Sequence, residues 1–397
     1  MTTSVTNLLT SIAVLSDIHA FASSDRSAES AVDYIAGSRA RNPLVELVES
    51  ARDLGIRADT LVCAGDICNK ADPTGLERAW ADLHRLVAVI EAESLVPTCG
   101  NHDLDSRFLF NESDPDPKGA ALSLVPSFPF ASANLTDKYW ARNYAILSLP
   151  SGVVMVVLNT SAYHGGKQEE IDHGRVCKRT INAIADELAV GYQGAAAYVL
   201  VCHHHPMPLS AKSASDMEYV RDGQPLLDVL TQTTRSSWLV VHGHRHHPKL
   251  MSGATPSNYV PFIFGAGSLG ARTPGVTNQF HLISLFQSND SEFSSVNGIV
   301  ETWSWSDSTG WGLSSSSPSS GLPGRCGFGF RGQIPALAAK IAGVVGATFA
   351  RIHDVRTNCP AIDFLTPDSL RDLIQELRAI GYQVLYDDKQ QICQVGK

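Results

Sequence analysis

The sequence lacks the features that would place it outside a cell, within a membrane or along a nucleic acid. Its eight cysteines include no Cys-x-x-Cys pair, which argues against a thiolate metal knuckle and a disulfide framework. Several of them sit inside apolar runs and read as small core residues, so reduced thiols are expected. No apolar run approaches the ~18–20 residues that a membrane span needs. Met1 to Thr10 has neither the basic start nor the long apolar stretch of a secretory signal, and the expectation is a cytoplasmic protein. Positive charge is also scarce. Lys and Arg number 31 against 40 Asp and Glu, a net charge of −9, which argues against a chain-wide nucleic-acid footprint. There is no internal repeat, and hence no sign of a solenoid.

What is present is a hydrophobic content of 44%, enough for a sizeable core. Short apolar runs alternate with longer amphipathic stretches. Ile12 to Leu15 runs into Ser16-Asp17, and Asn42-Pro43 then caps a helix with Leu44, Leu47, Val48, Ala51 and Leu54 at helical spacing. Leu61 to Ala64 leads into Gly65-Asp66. A second helix carries Leu76, Trp80, Leu83, Val87 and Ile90, and Leu95 to Cys99 leads into Gly100-Asn101. This alternation is the sign of parallel α/β units, and runs apolar on both faces imply strands covered on both sides. Leu104 to Tyr139, rich in Pro, Ser, Asp and Phe, reads as an insertion over the site. Asn143 to Leu149 and Val153 to Leu158 read as a hairpin, and Ala197 to Cys202 and Trp238 to Val241 as buried strands. Val260 to Phe264, Phe280 to Phe286 and Ile299 to Trp305 complete the strand reading.

Five strand ends carry metal-ligand residue types: Asp17-Ile18-His19, Gly65-Asp66, Gly100-Asn101-His102-Asp103, His203-His204-His205-Pro206 and Gly243-His244-Arg245-His246. Sites in open α/β sheets form beyond the carboxyl ends of the strands. One such ending is common; five are hard to obtain by accident. Imidazole and carboxylate ligands suit Mn, Fe or Zn. Two such ions can polarise a phosphoryl group and generate hydroxide near neutral pH. If Asp17 and Asp66 are the only anionic ligands, their surplus charge also attracts an anionic substrate to an acidic protein.

In this order the motifs resemble those of the calcineurin-like metallophosphoesterase superfamily: D-x-H, G-D, G-N-H-D/E, H-x-P and G-H-x-H. The resemblance covers roughly residues 11–270, and the His204-His205-Pro206 and Gly243-His244-Arg245-His246 pair is closest to class III cyclic-nucleotide phosphodiesterases. It implies an α/β fold, a four-layer αββα sandwich around two metals. Carried over, Asp17, His19 and His246 would hold one metal and Asn101, His204 and His244 the other, with Asp66 bridging. His203 is the alternative to His204. A metal-bridging hydroxide would attack phosphorus in line. His102 would assist the leaving group, Asp103 would orient it, and Asn101, His102 and Arg107 would contact substrate. Asn69 and Asn159 depart from the family pattern, which often has an acid at each, so the support around Asp66 and after Leu158 differs, but neither departure removes a proposed ligand. His164, His173 and His247 read as supporting or surface residues.

The expected division is a metallophosphoesterase domain over residues 1–305, a Ser/Gly/Pro-rich linker over 306–329, and a small α+β C-terminal module over 330–397. Within the module, Ile334 to Val345 reads as a helix. Thr366-Pro367-Asp368 caps another, with Leu370, Leu373, Ile374, Leu377 and Ile380 on one face, and Tyr382 to Tyr386 and Gln391 to Val395 form a hairpin. The expected partner is a phosphate ester, with cyclic nucleotide or nucleic acid left open; a homo-oligomer or other partner would meet the C-terminal module. A nuclease is the rival within the enzyme class, and a non-catalytic metal-binding scaffold the rival outside it.

Overall fold

The computed structural model describes residues 7–24, 29–105, 116–165, 173–208, 218–315, 320–388 and 390–397. Arg107 lies outside the described residues. β1 (Asn7–Leu15), β2 (Thr60–Cys63) and β3 (Ser94–Pro97) run parallel, joined by α1 (Pro43–Ser50) and α2 (Pro73–Val89). α1 starts at the Asn42-Pro43 cap that the sequence predicts, and α2 is capped in the same way at Asp72-Pro73. Asn42 accepts from the N–H groups of Leu44 and Val45, Asp72 accepts from that of Gly75, and each helix has Pro in its first turn.

The insertion holds α3 (Gly119–Leu122) and α4 (Ala133–Arg142), followed by the β4 (Tyr144–Ser148) and β5 (Val153–Leu158) hairpin. Then come α5 (Lys178–Gly191), β6 (Ala197–Val201), α6 (Gly223–Thr234), β7 (Trp238–His242), β8 (Lys249–Ser252) and β9 (Pro261–Gly265). These strands form one sheet ordered β4-β5-β6-β7-β9-β8, parallel from β5 to β9 with antiparallel edges. β10 (Asn278–Gln287), β11 (Phe293–Ser306), β12 (Gly310–Leu313) and β13 (Arg325–Phe330) return to the first sheet, ordered β12-β11-β10-β1-β2-β3 with β13 also on β11. Residues 306–329, read from composition as a linker, thus contribute two strands to this sheet.

Strand alternation assembles the layers. On β5, β6 and β7, Val153, Met155, Val157, Val199, Val201, Leu239 and Val241 face the first sheet's core. Their neighbours Val154, Val156, Tyr198, Leu200, Trp238 and Val240 pack with α5 and α6 residues such as Ile184 and Leu227. α1 and α2 cover the other side through Leu44, Leu47, Trp80 and Leu83. The result is a four-layer αββα sandwich.

The last 70 or so residues add α7 (Ile334–Val345), β14 (Phe349–Arg351), α8 (Ile352–Asn358), a 3-10 turn over Pro360–Phe364, α9 (Pro367–Ala379), β15 (Gln383–Tyr386) and β16 (Ile392–Gly396). The three strands pair in the order β14-β16-β15. Leu373 and Leu377 of α9 are buried, whereas Ile380, expected on the same face, caps the helix and is exposed. The module is docked on the sandwich. Phe286, Phe293 and Phe330 join its core, and the Gly327 N–H donates to the Leu365 carbonyl. A Cβ at Gly327 would stand 2.0 Å from the Asp363 carbonyl oxygen. Gly327→Val is expected to cost about 1–3 kcal/mol through this clash. Limited proteolysis should then cut first within residues 331–397, and an unchanged digestion pattern would contradict the docking.

All eight cysteines are free, and six are buried. Burial pushes the Cys202 and Cys326 thiols up to about 12. Cys177, half-buried before the first turn of α5, goes the other way. Burial raises it, but hydrogen bonds with Thr180 and Tyr163 and the backbone N–H groups of Thr180 and Arg179 outweigh that and bring it to about 7. Its alkylation by iodoacetamide should rise about tenfold per pH unit up to pH ~7 and then level off. A midpoint near 8.5, the ordinary cysteine value, would contradict this environment. Among the described residues no helix is long and apolar enough to cross a membrane.

Candidate metal centre

The carboxyl ends of β1, β2, β3, β6 and β7 deliver the five sequence motifs to one place. The chain turns sharply there. Asp17, His19, Asp66, His244 and His246 all adopt positive φ, between 50° and 76°. Such backbone is uncommon for non-glycine residues and costs of order 1–3 kcal/mol each, so its concentration on these residues marks a constrained site. Glycine makes the close approach feasible: a Cβ at Gly100 would stand 2.1 Å from Asp66 Oδ1.

Two groups of donors result. In one, His246 Nε2 lies 3.0 Å from His19 Nε2 and 3.4 Å from Asp17 Oδ1. In the other, Asn101 Oδ1 lies 3.1 Å from His203 Nε2 and 3.2 Å from His244 Nδ1. Asp66 Oδ2 stands between them, 3.5 Å from His19 Nε2 and 3.3 Å from His203 Nε2. Donor atoms about 3 Å apart are spaced as neighbouring ligands of one cation with bonds of about 2.1 Å. Asp17-His19-His246, Asp17-Asp66-His203, His19-Asp66-His102 and His203-His204-His244 are each close enough to hold an ion.

The tautomers support this fit. His203 Nδ1 lies 2.8 Å from the Ala64 carbonyl oxygen. A carbonyl only accepts, so Nδ1 carries a proton and Nε2 is the atom turned toward Asp66, as a donor while the ring is protonated and as a lone pair once a metal takes the place of that proton. Likewise His19 Nδ1 lies 3.3 Å from Asn69 Oδ1. Each of these contacts needs a positive charge between nitrogen and carboxylate, a proton or a metal ion in its place. Further partners hold the remaining rings: Thr273 Oγ1 is 3.0 Å from His246 Nδ1, and Glu218 Oε2 is 3.5 Å from His244 Nε2. The His244 N–H donates to both Asp17 oxygens at 3.0 and 3.1 Å, and the His102 N–H to Asp66 Oδ1 at 2.8 Å.

Charge couples the groups. Burial opposes ionisation of Asp17, but His19 and His246 more than offset it and hold the carboxyl below its ordinary range. Asp66 is held low against burial by His203 and His102. Burial would lower His203, yet the Asp66 and Asp17 charges raise it to about 9. His204 goes down, first through burial and then through its neighbours His244 and His203.

The triple histidine separates in space. His203 faces Asp66 and Asn101, whereas His204 Nδ1 is taken by Thr160 Oγ1 at 2.9 Å. His204 Nε2 is buried with no hydrogen-bond partner among the described residues and lies beside His203 and His244. The Asp103 oxygens accept from the Cys68 and Gly100 N–H groups at 3.0 and 2.8 Å, bracing the loop. Burial, then the Asp66 charge, raises this carboxyl to about 6. His102 is oriented by the Lys70 N–H, which donates to Nδ1 at 3.1 Å and so leaves the neutral ring's proton on Nε2. His164 and His173 are buried near His204, and His247 is exposed. Sequence reasoning missed Asn69, Thr160, Glu218 and Thr273 as supports. Asn69 and Thr160 stand at or beside the two departures from the family pattern.

A model of the calcineurin-like phosphoesterase family matches residues 10–248. The chain belongs to that family. A second model, calcineurin-associated wHTH, matches residues 326–379, and the C-terminal module is a small winged-helix-like domain. The chain is 27% identical over 238 residues to a cAMP/cGMP dual specificity phosphodiesterase of Mycobacterium tuberculosis, covering 59% of this chain and 60% of that relative's length. Among solved structures, a purple acid phosphatase from yellow lupin (Lupinus luteus) seeds is similar at 15% identity and a TM-score of 0.43, covering 76% of this chain and 52% of that one. GAP50, the anchor in the inner membrane complex of Plasmodium, is similar at 11% identity and a TM-score of 0.37, covering 76% and 85%.

Proposed function

We propose that this protein is a dinuclear metal-dependent phosphodiesterase. The observation that carries the reading is the pair of donor groups sharing Asp66. Asp17, His19 and His246 would hold one ion, Asn101, His203 and His244 the other, and Asp66 would touch both. His203 replaces His204 here because its Nε2 faces Asn101 and Asp66, while Thr160 engages His204. Two divalent ions of the Mn, Fe or Zn type would supply Lewis acidity toward a phosphoryl oxygen and activate water near neutral pH.

The chain's own groups do the rest. Asp17 and Asp66 stay ionised, and the carbonyl of Ala64 and the side chains of Asn69, Thr273 and Glu218 fix the rings that face them. His102, with its proton on Nε2, is set to donate to the oxygen of a departing alcohol. Asp103 braces the Cys68–Gly100 backbone under it. Asn101 and Arg107 remain proposed substrate contacts.

A diester is favoured because a relative 27% identical over 238 residues is named for cyclic nucleotides. Nucleic acid is less suited to the C-terminal domain. Its exposed charges are mixed, Arg331, Lys340 and Arg351 in its first half against Asp368, Asp372, Asp387 and Asp388 in its second, without the basic excess that a phosphate backbone calls for. We propose that the sandwich domain runs to about residue 330, since 306–329 lends strands to its first sheet, and we propose a cytoplasmic location, which the free cysteines fit. Mn-loaded full-length protein is expected to turn over bis-p-nitrophenyl phosphate and 3′,5′-cyclic AMP faster than p-nitrophenyl phosphate. Turnover of the monoester alone would overturn the diester reading, cleavage of circular DNA would favour the nuclease, and no turnover of any of them the scaffold.

A further inference from the structure

The turn that joins β2 to α2 holds unusual backbone beside the metal centre. Lys70 and Ala71 both have positive φ, 51° and 55°, the one consecutive pair of such non-glycine residues among the described residues. Asp, Asn and His enter this region far more readily than Lys or Ala. The other left-handed residues outside those three types stand at ordinary chain reversals: Glu91 just after α2, Arg235 capping α6 and Gln390 in the β15–β16 turn. Lys70 and Ala71 end no element. Nor does the Lys70 side chain hold the turn, since it makes no hydrogen bond or ion pair with the described residues.

The backbone of the turn grips His102 at two atoms instead. The Lys70 N–H donates to ring Nδ1 at 3.1 Å, and the Ala71 N–H donates to the His102 carbonyl oxygen at 2.8 Å. The Cys68 thiol adds a contact, 3.2 Å from the same carbonyl oxygen. On its other side the turn is tied to β1's end: the Asn69 N–H donates to the Ala20 carbonyl at 2.8 Å, and Asn69 Oδ1 lies 3.3 Å from His19 Nδ1. The His19 and His102 rings stand 4.7 Å apart, edge to face. Sparsely populated backbone persists only where its surroundings over-determine it, and it collects at sites that need fixed geometry. We propose that Lys70 and Ala71 are positioning residues, whose left-handed turn fixes the His102 ring, and so the direction of its Nε2–H, relative to the ring of His19. The inference rests on the reading of His102 as the leaving-group acid.

The test varies residue 70 by its tolerance of left-handed backbone, which Asn accepts and β-branched Val resists. Two readouts are compared in the full-length chain. One is kcat of the Mn-loaded protein on a phenyl diester against a p-nitrophenyl diester. The other is the His102 tautomer in the Zn-loaded protein, read by long-range nitrogen–proton NMR at a pH where the ring is neutral, with His102→Asn giving the assignment. Lys70→Val is expected to slow the phenyl diester about tenfold or more and the p-nitrophenyl diester less than about threefold, with both ions retained. Its His102 signal should move from one tautomer, protonated at Nε2, to a mixture. Lys70→Asn should restore both readouts. Unchanged phenyl turnover in Lys70→Val, equal losses on the two esters, an Asn variant as slow as the Val variant, or a mixed tautomer in the wild type would overturn the proposal. A wild type with a single tautomer and no turnover of any diester would support the turn's hold on His102 and remove the phosphodiesterase reading.

Discussion

Asp66→Asn is expected to lower kcat/KM for a phosphodiester by about 10³-fold, a loss of about 4 kcal/mol in transition-state stabilisation. The Asp66 carboxylate lies within 3.5 Å of histidines from both donor groups, so neutralising it weakens both metal positions together. Asn is the informative replacement because residue 66 has φ of 54°. Asn tolerates left-handed backbone, whereas Ala would add strain unrelated to the metals. Metal content should fall below two ions per chain, with thermal unfolding shifted only by the lost metal binding. A variant that kept two ions and more than a tenth of the activity would remove Asp66 from its bridging role.

The second large effect falls on His102, and its signature depends on the leaving group. Asn at this position can keep an acceptor for the Lys70 N–H while removing the Nε2 proton. Loss of a general acid costs about 10²–10⁴-fold, but a p-nitrophenolate departs without much help. His102→Asn should therefore slow a phenyl diester by about 10²-fold or more and a p-nitrophenyl diester by less than about tenfold. Metal content should stay at two ions per chain. Equal losses on both substrates would make His102 a phosphate contact instead of an acid.

Much of this centre was legible because its residues stand at strand ends, where an apolar run stops and a polar ligand type follows. The order of the five motifs then pointed to the family. The choice within His203-His204-His205 was not legible: three identical neighbours differ only in how the chain turns after β6. The supporting groups were hidden for a related reason. Thr160, Glu218 and Thr273 reach their histidines across 44, 26 and 27 positions of sequence respectively, distances no local pattern encodes. In the fold, β12 and β13 escaped notice because Gly-Trp-Gly-Leu and Arg-Cys-Gly-Phe-Gly-Phe read as turn-like composition. At Gly327 the glycine answers a close approach by the 3-10 turn, not a bend in the chain.

Metal titration tests the account most directly. Protein stripped with a chelator and dialysed should be inactive toward bis-p-nitrophenyl phosphate. Adding Mn should restore turnover, with binding saturating at two ions per chain and most activity appearing with the second. His203→Gln should bind one ion fewer. Full activity in the stripped protein, or saturation at a single ion, would contradict a dinuclear centre.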